Sequence, residues 1–200
     1  MASETIILPA VVVFACVSVL WVISLRIKDV SIADIWWGPG FAVIAWVLVY
    51  QHEQPAARLW VVTALLSIWA VRLGVYLGAR NIGHDEDKRY QEMRDRTPGF
   101  WWVSLFKVFY LQGALQLLVA LPVFATTSLT STLGPVDIVA VVLVIFGIGL
   151  ESTADIQLAR FKRDSGTDNT VLRTGVWGWC RHPNYFGNAL IWAGVGLLAI

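Results

Sequence analysis

Charged residues are scarce in this chain of 200 residues, and their scarcity excludes an ordinary soluble domain. Asp, Glu, Lys and Arg make up 14% of the sequence, whereas hydrophobic residues make up 57%. A soluble globular domain carries about 25% charged residues. The formal net charge is only +1, which argues against a nucleic-acid partner. The composition therefore indicates an integral membrane protein.

Cysteine is nearly absent as well. Cys16 lies in an apolar run and Cys180 in a polar stretch, a separation that fits no metal site and argues against a disulfide between them. We therefore expect no metal site. Tryptophan, by contrast, is abundant: the chain has eleven, and indole rings collect at the two membrane–water interfaces.

Six apolar runs predict an all-α fold, a polytopic transmembrane bundle of about six helices. A span needs roughly 20 residues, and lipid offers no partner to unpaired backbone groups, so that helix is the state expected for such runs. The first run has no basic region before it and positive charges after it, which favours a spanning helix over a cleaved signal. The runs are 6–25, 35–50, 59–77, 100–121, 136–150 and 185–200.

We see no internal repeat or low-complexity linker, and therefore expect one membrane domain over residues 1–200. Within it, residues 1–121 are expected to form the substrate side and residues 136–200 the cofactor-binding part. Because no polar residue follows the last run, either the final helix stops at Ile200 or the sequence is truncated there.

Basic residues predict the orientation. The first, third and fifth loops hold clusters of Arg and Lys, whereas the second loop has only Arg58 and the fourth has none. The positive-inside rule places the three basic loops in the cytoplasm and both termini on the extracytoplasmic side.

The fifth loop carries most of the polar chemistry, in the stretch TGVWGWCRHPNYFG (174–187) and the helix before it. We expect the fifth helix to continue past Leu150 into the cytoplasm, because Glu151, Asp155 and Lys162 recur at helical spacing. Pro183 suits the first position of the last helix, where its missing N–H costs nothing.

Four cations are expected to converge at this cytoplasmic end, and such a group suits a ligand with several phosphates. They are Lys162, Arg163, Arg173 and Arg181. The alternative is that these cations only follow the positive-inside rule and touch lipid headgroups. Topology alone, however, does not require the His, Asn and Tyr of the unit 181–185.

The other polar and aromatic residues of this region suit the remaining parts of a dinucleotide. Asp155 could accept from ribose hydroxyls, and Trp177 and Trp179 offer stacking surfaces. Asn184 has an amide that can pair with a carboxamide. His182 is a residue type that can act as an acid near neutral pH, but we interpret it as a contact residue.

A second cluster lies in the third helix, where Arg72, Tyr76 and Arg80 share one face. Asp34, at the start of the second helix, is the expected partner of Arg72, because a membrane Arg usually faces the bundle interior. One interpretation is an ion pair that only holds two helices together. The other makes Tyr76 a proton donor or carbonyl polariser that Asp34 and Arg72 tune.

Two further segments are interpreted as structural. The segment GHDEDKRYQEMRDR (83–96) predicts a salt-bridged surface helix. Gln112 and Gln116, one turn apart on the fourth helix, are more typical of interhelical hydrogen bonding than of a site.

The fifth-loop residues resemble the C-terminal domain of the steroid 5-alpha-reductase superfamily. The similarity rests on Asp-x-Gln-Leu, Phe-Lys, Gly-x-Trp and Arg-His-Pro-Asn-Tyr-Phe-Gly in chain order. Within the superfamily, DVSIADIWWG, WAVRLGVYL and GHDEDKRYQEMR resemble the bacterial-type integral-membrane branch. This implies a bacterial inner-membrane protein with its cofactor site on the cytoplasmic side.

The resemblance implies an NADPH-dependent reductase of an electron-poor carbon–carbon double bond in a steroid- or lipid-like substrate. The residues implied to line the NADPH site are Asp155, Lys162, Arg173, Trp177, Arg181, His182, Asn184, Tyr185 and Asn188. Many relatives have Glu where this chain has Asn188, whose amide can still bind a nicotinamide carboxamide. Tyr76, with Asp34 near it, is the candidate to polarise the substrate carbonyl.

Two other functions stay open. The isoprenylcysteine and phospholipid methyltransferases end in a similar Arg-His-Pro stretch that serves S-adenosylmethionine. The Asp-x-Gln-Leu and Phe-Lys pattern and the several cations favour a dinucleotide over that ligand. The third possibility is a non-catalytic member of the fold that binds membrane lipids or partners.

Overall fold

The computed structural model describes residues 3–128, 132–165 and 171–200, and within these ranges it contains helices and turns but no β-strand. Five helices are long and apolar enough to cross a membrane. They are Thr5–Ile27, Ile32–Gln51, Ala57–Asn81, Phe100–Val119 and Pro135–Asp164. The predicted all-α, polytopic architecture is therefore confirmed.

The chain divides into two compact units, Met1–Thr130 and Ser131–Ile200. The division falls between the two parts that the sequence predicts, residues 1–121 and 136–200. That the two units form a single membrane domain stays a prediction.

The first unit contains seven α-helices among its described residues. They are α1 (Ser3–Ile27), α2 (Ile32–Gln51), α3 (Ala57–Asn81), α4 (Lys88–Arg96), α5 (Phe100–Ser104), α6 (Leu111–Val119) and α7 (Leu121–Ala125). Helix α2 packs along α3, with Gly38 against Leu73 and Gly74 against Pro39. Glycine lets two backbones approach closely in a membrane, where small residues mark helix interfaces.

The fourth candidate span changes from α-helix to π-helix and back to α-helix along its length. Between α5 and α6, residues Leu105–Tyr110 form a π-helical segment, an arrangement that is rare and frequent at functional sites. Its last residue, Tyr110, lies with its hydroxyl 3.2 Å from the hydroxyl of Ser18 on α1. The π segment therefore directs Tyr110 toward the first helix.

The second unit is a helical hairpin with a short 3₁₀ turn in the connection. Helix α8 spans Pro135–Ser165, the turn spans Gly175–Gly178 and α9 spans Pro183–Leu197. The predicted extension of the fifth helix beyond Leu150 is confirmed, and so is Pro183 at the start of the last helix.

The last helix is shorter than the sequence predicts for a span. Helix α9 has 15 residues, which rise about 22 Å, whereas the hydrocarbon core of a bilayer is about 30 Å thick. It ends on its N-terminal side at His182, whose backbone is not helical (φ −139°, ψ 67°).

Glycines set the distance between α8 and α9. A Cβ on Gly187 would lie 2.7 Å from the backbone nitrogen of Glu151, and one on Gly194 would lie 2.6 Å from the carbonyl oxygen of Ala140. The two backbones therefore touch along the hairpin, which brings the start of α9 against the middle of α8.

Candidate functional site

Two of the residues predicted to bind a dinucleotide, Asp155 and Asn184, meet where α9 begins beside α8. The side-chain amide of Asn184 donates to Oδ1 of Asp155 at 3.4 Å, and Asp155 is 4% exposed. The other amide atom, Oδ1 of Asn184, is buried and accepts no hydrogen bond from the described residues. The site thus contains one buried acceptor that a ligand N–H could satisfy.

The 3₁₀ turn is anchored on α8 by two hydrogen bonds. The backbone N–H of Val176 donates to Oε1 of Gln157 at 3.1 Å, and the indole N–H of Trp177 donates to the carbonyl of Ala154 at 2.9 Å. Gly175 has a φ of +60°, and a Cβ there would lie 2.5 Å from the Gln157 side chain. Glycine is therefore required where the turn approaches α8.

Three of the predicted phosphate ligands are exposed and carry no ion pair. The side chains of Lys162, Arg173 and Arg181 make no hydrogen bond or salt bridge with any residue of the described ranges. Arg163, in contrast, pairs with its neighbour Asp164 at 3.3 Å. The three uncompensated cations stay available to an anionic ligand.

The remaining predicted residues line the start of α9 more loosely. The rings of His182 and Tyr185 lie 5.5 Å apart, and Tyr185 is 69% exposed. Trp179 is also exposed, whereas Asn188 is half-buried one turn further along α9. The structure thus brings Asp155 and Asn184 into contact, ties Trp177 to α8 through Ala154, and leaves Tyr185, His182 and Trp179 exposed.

The second predicted cluster is arranged differently from the expectation. Asp34 binds α4: its Oδ1 accepts from the Tyr90 hydroxyl at 2.6 Å and its Oδ2 accepts from the Arg89 guanidinium at 2.9 Å. Arg72 instead lies over the ring of Tyr76, with 5.6 Å between its Cζ and the ring centroid. The cation that pairs with Asp34 is therefore Arg89, not the expected Arg72.

Helix α4 is held to the start of α2 by further contacts. Glu86 accepts from the Val30 backbone N–H at 2.8 Å and pairs with Arg94 at 2.7 Å. The Ser31 hydroxyl accepts from the Asp87 backbone N–H at 2.8 Å. Residues 83–96, interpreted from the sequence as a surface helix, therefore contact the start of α2 on one side.

Sequence reasoning missed Tyr90. The sequence does contain an indication of its role: Tyr90 and Met93 are two large residues three positions apart in a segment that is otherwise charged or polar. Residues at that spacing share one helix face. Tyr90 is 8% exposed and Met93 packs against the same cluster.

The electrostatics of α4 follow from these contacts. Burial, together with the adjacent Asp34 carboxylate, raises the pKa of Tyr90 far above its usual range, so that the phenol stays neutral and keeps donating. The hydrogen bond from Arg89 lowers the pKa of the Asp87 carboxyl. Asp87 also caps α4 by accepting from the Arg89 backbone N–H at 3.0 Å.

The two glutamines of α6 act as predicted, between helices. Gln116 is fully buried, donates to the Trp37 carbonyl at 2.9 Å and accepts from the Trp36 indole at 3.1 Å. Gln112 donates to Oδ1 of Asp34 at 3.4 Å. Asp34 therefore receives three donors, from Tyr90, Arg89 and Gln112.

Comparison with known proteins gives a family. Residues 20–200 match the family model described as Protein of unknown function (DUF1295). An uncharacterized protein of the yeast Schizosaccharomyces pombe is 28% identical over 204 residues, a match that covers 88% of this chain. The chain spans 59% of the length of that relative. No solved structure matches.

Proposed function

The chain belongs to the DUF1295 family, and we propose that it is a membrane-embedded, NADPH-dependent reductase of an electron-poor carbon–carbon double bond in a steroid- or lipid-like substrate. The observation that carries the proposal is the second unit's site. The buried Asp155–Asn184 contact lies there, and the same unit carries three exposed cations, Lys162, Arg173 and Arg181, that form no ion pair among the described residues. The resemblance of the Arg-His-Pro-Asn-Tyr-Phe-Gly stretch to the steroid 5-alpha-reductase superfamily supports it.

The site residues fit NADPH in both charge and hydrogen bonding. Lys162, Arg173 and Arg181 would hold the phosphates through charge-assisted hydrogen bonds. The buried Oδ1 of Asn184 lacks a donor among the described residues, and the carboxamide N–H of a nicotinamide would supply one. When bound, NADPH supplies a hydride to the substrate.

Asp155 would bind a ribose hydroxyl while it keeps Asn184 in place. The side-chain N–H₂ of Asn184 donates to Oδ1 of Asp155 at 3.4 Å, and a carboxylate accepts hydrogen bonds from hydroxyl donors as well as from amides. Because this contact holds the Asn184 amide through its N–H₂ end, its carbonyl end is left to the ligand. Asp155 is therefore a positioning residue as well as a ligand contact.

The tyrosine that polarises the substrate carbonyl is proposed to be Tyr76, with Asp34 acting indirectly. Tyr90 is unsuited, because its single hydroxyl proton is donated to Asp34 at 2.6 Å. Tyr76 lies on the same face of α3 as Arg72, with 5.6 Å between the Arg72 Cζ and the centre of the Tyr76 ring. Asp34 fixes α4 against α2 and α6 through its three donors.

The first test is cofactor binding to the purified protein in detergent, measured by calorimetry with NADPH, NADH and S-adenosylmethionine. We expect NADPH to bind more tightly than NADH, and S-adenosylmethionine not to compete. Stronger binding of S-adenosylmethionine would assign the site to a methyltransferase. Absence of binding by all three would favour a non-catalytic member of the fold.

One substitution tests the phosphate contact directly. Replacing Arg181 with Ala should weaken NADPH binding by about 1.5–3 kcal/mol, the contribution of a hydrogen bond to a charged group. Arg163→Ala is the matched control, since Arg163 is a neighbouring cation that already pairs with Asp164. Equal affinities for the two variants would remove Arg181 from the site.

A further inference from the structure

The first unit contains a half-open cavity of about 530 Å³ that none of the predicted site residues lines. It lies where α1 ends, α2 begins and α3 ends, so that three candidate membrane spans meet around it. Ligand pockets for small molecules typically measure about 300–1,000 Å³ and are mainly apolar with a few polar groups. This cavity has that size and that composition.

The lining separates into an apolar part and a polar end. Leu20, Trp36 and Pro39 lie inside the spans of α1 and α2. Asp29, Asn81 and His84 lie at or beyond the ends of the helices. From Ile32 to Pro39 the helix rises about 10 Å, at 1.5 Å per residue. The cavity therefore extends from the end of the bundle into its apolar zone, as the site of an amphiphile would.

The charged group of the polar end is Asp29, which favours a ligand that donates hydrogen bonds, while the buried Nδ2 of Asn81 lacks an acceptor among the described residues. Oδ1 of Asp29 accepts from the Ser31 backbone N–H at 2.8 Å, and Asp29 forms no ion pair with the described Lys, Arg or His residues. Arg94, whose positive charge Asp29 helps to stabilise, is paired with Glu86. The carboxylate of Asp29 thus keeps lone pairs for a donor and repels a ligand carboxylate.

We propose that this cavity binds one single-chain amphiphile whose head group is a hydrogen-bond donor, best a primary amine and next an alcohol. The head group lies at Asp29, and the hydrocarbon chain lies between α1 and α2 against Leu20, Trp36 and Pro39. A long-chain carboxylic acid of the same length is disfavoured by the charge of Asp29. This inference does not rest on the proposed reductase activity and concerns other residues.

The test is native mass spectrometry of the detergent-purified full chain with hexadecylamine, hexadecanol and palmitic acid, each supplied at increasing concentration. We expect one bound amine per chain, with palmitic acid bound about tenfold or more weakly, since a charge-assisted hydrogen bond is replaced by a repulsion. Asp29→Asn should remove the preference for the amine over the alcohol. Equal binding of amine and acid by the unaltered chain would overturn the proposal.

Two cavity-filling variants show whether binding occurs in the cavity. Ile35→Trp and Leu20→Trp each place an indole in the lining and should abolish the one-to-one amine complex. Two positions are substituted so that, if one variant fails to fold, the other still tests whether the amine binds in the cavity. Ile68→Trp is the control, because Ile68 is 59% exposed on α3 and does not line the cavity. Undiminished binding by a folded cavity variant would contradict the assignment.

Discussion

At the scale of single residues, the Asp34 carboxylate on α2 is bonded to residues of two other helices. It receives hydrogen bonds from Tyr90, Arg89 and Gln112, which come from two helices other than its own. Hydrogen bonds to a charged acceptor are stronger than neutral ones. Asp34 therefore joins α2, α4 and α6, and the contribution of each donor can be measured separately.

Removing the Tyr90 hydroxyl should loosen α4. We expect Tyr90→Phe to lower the free energy of opening of this helix by about 1.5–3 kcal/mol, because a hydrogen bond to a charged group is lost. Hydrogen exchange of the amides in α4, followed by mass spectrometry, measures the change. Tyr50→Phe is the control, since Tyr50 is 85% exposed and the substitution should leave exchange in α4 unaltered.

The tyrosine on α3 should behave differently. If Tyr76 polarises the substrate carbonyl, Tyr76→Phe should reduce turnover about 10²–10⁴-fold, the usual contribution of general acid catalysis, with NADPH affinity unchanged. The measurement is kcat with a lipid enone alongside NADPH binding by calorimetry. A variant that loses cofactor affinity, or that keeps full turnover, would exclude this role.

At the scale of the elements, α4 is attached by ion pairs and a cap rather than by a large apolar face. Arg89 pairs with both Asp34 and Asp87, and Arg94 pairs with Glu86. Apart from Tyr90 and Met93, its residues are charged or polar. An element held in this way responds to pH, because its carboxylates must be ionised to pair.

The N-terminal cap of α4, in which the Asp87 carboxylate accepts from Arg89, should weaken in acid. Arg89 lowers the pKa of the Asp87 carboxyl below its ordinary value of 3.8. The stabilisation of α4 by the ionised Asp87 is therefore fully present above pH 3.8. It is lost as the pH falls through the still lower pKa of the folded state. Hydrogen exchange of α4, corrected for the intrinsic effect of pH, should show faster opening below about pH 4. Asp87→Asn should remove the part of this dependence that comes from Asp87.

The contact between α8 and α9 depends on glycine. Gly194→Ala should destabilise the second unit by about 1–3 kcal/mol, because the new methyl group meets the Ala140 backbone and the helices must separate. Gly196→Ala is the matched control on the same helix, where a Cβ would meet nothing within 4 Å. In thermal unfolding in detergent, the melting temperature of Gly194→Ala should be well below that of Gly196→Ala. Equal melting temperatures would contradict the close contact between α8 and α9.

At the scale of the whole molecule, the number of spans decides where the ends of the chain lie. Five helices meet the length and hydropathy of a span, whereas α9 has 15 residues. An odd number of crossings puts the two termini on opposite sides, and an even number puts them on the same side. The basic loops predict that the N-terminus is extracytoplasmic.

We expect α9 to cross the membrane together with the residues that follow it, because the backbone of Leu198 to Ile200 continues to hydrogen-bond into its last turns. Alkaline phosphatase, which is active only outside the bacterial cytoplasm, should then be active when fused after Ile200. A fusion after Gln54, in the second loop, should also be active, and one after His84 should not be. An inactive fusion after Ile200, with an active one after Gln54, would indicate five spans.

The sequence by itself determined the all-α fold class and which segments of the chain form the long helices. Runs of apolar residues admit only helix in lipid, so the spans of α1, α2 and α3 follow from composition. Likewise, Pro183 suits the first position of α9, where its missing backbone N–H costs nothing. The extension of α8 followed from the helical spacing of Glu151, Asp155 and Lys162. All of these are local properties of the chain.

Only the tertiary structure decided which distant residues meet. Arg72 and Arg89 were both available to Asp34, and spacing along the chain could not separate them. The docking of α4 on α2, through Glu86 and Ser31, is what selected Arg89 and brought Tyr90 with it. The contact between Asp155 and Asn184 depends in the same way on glycines that let α8 and α9 touch. Such contacts are set by how helices pack, because the energy of a polar pair depends on the geometry and burial that packing imposes.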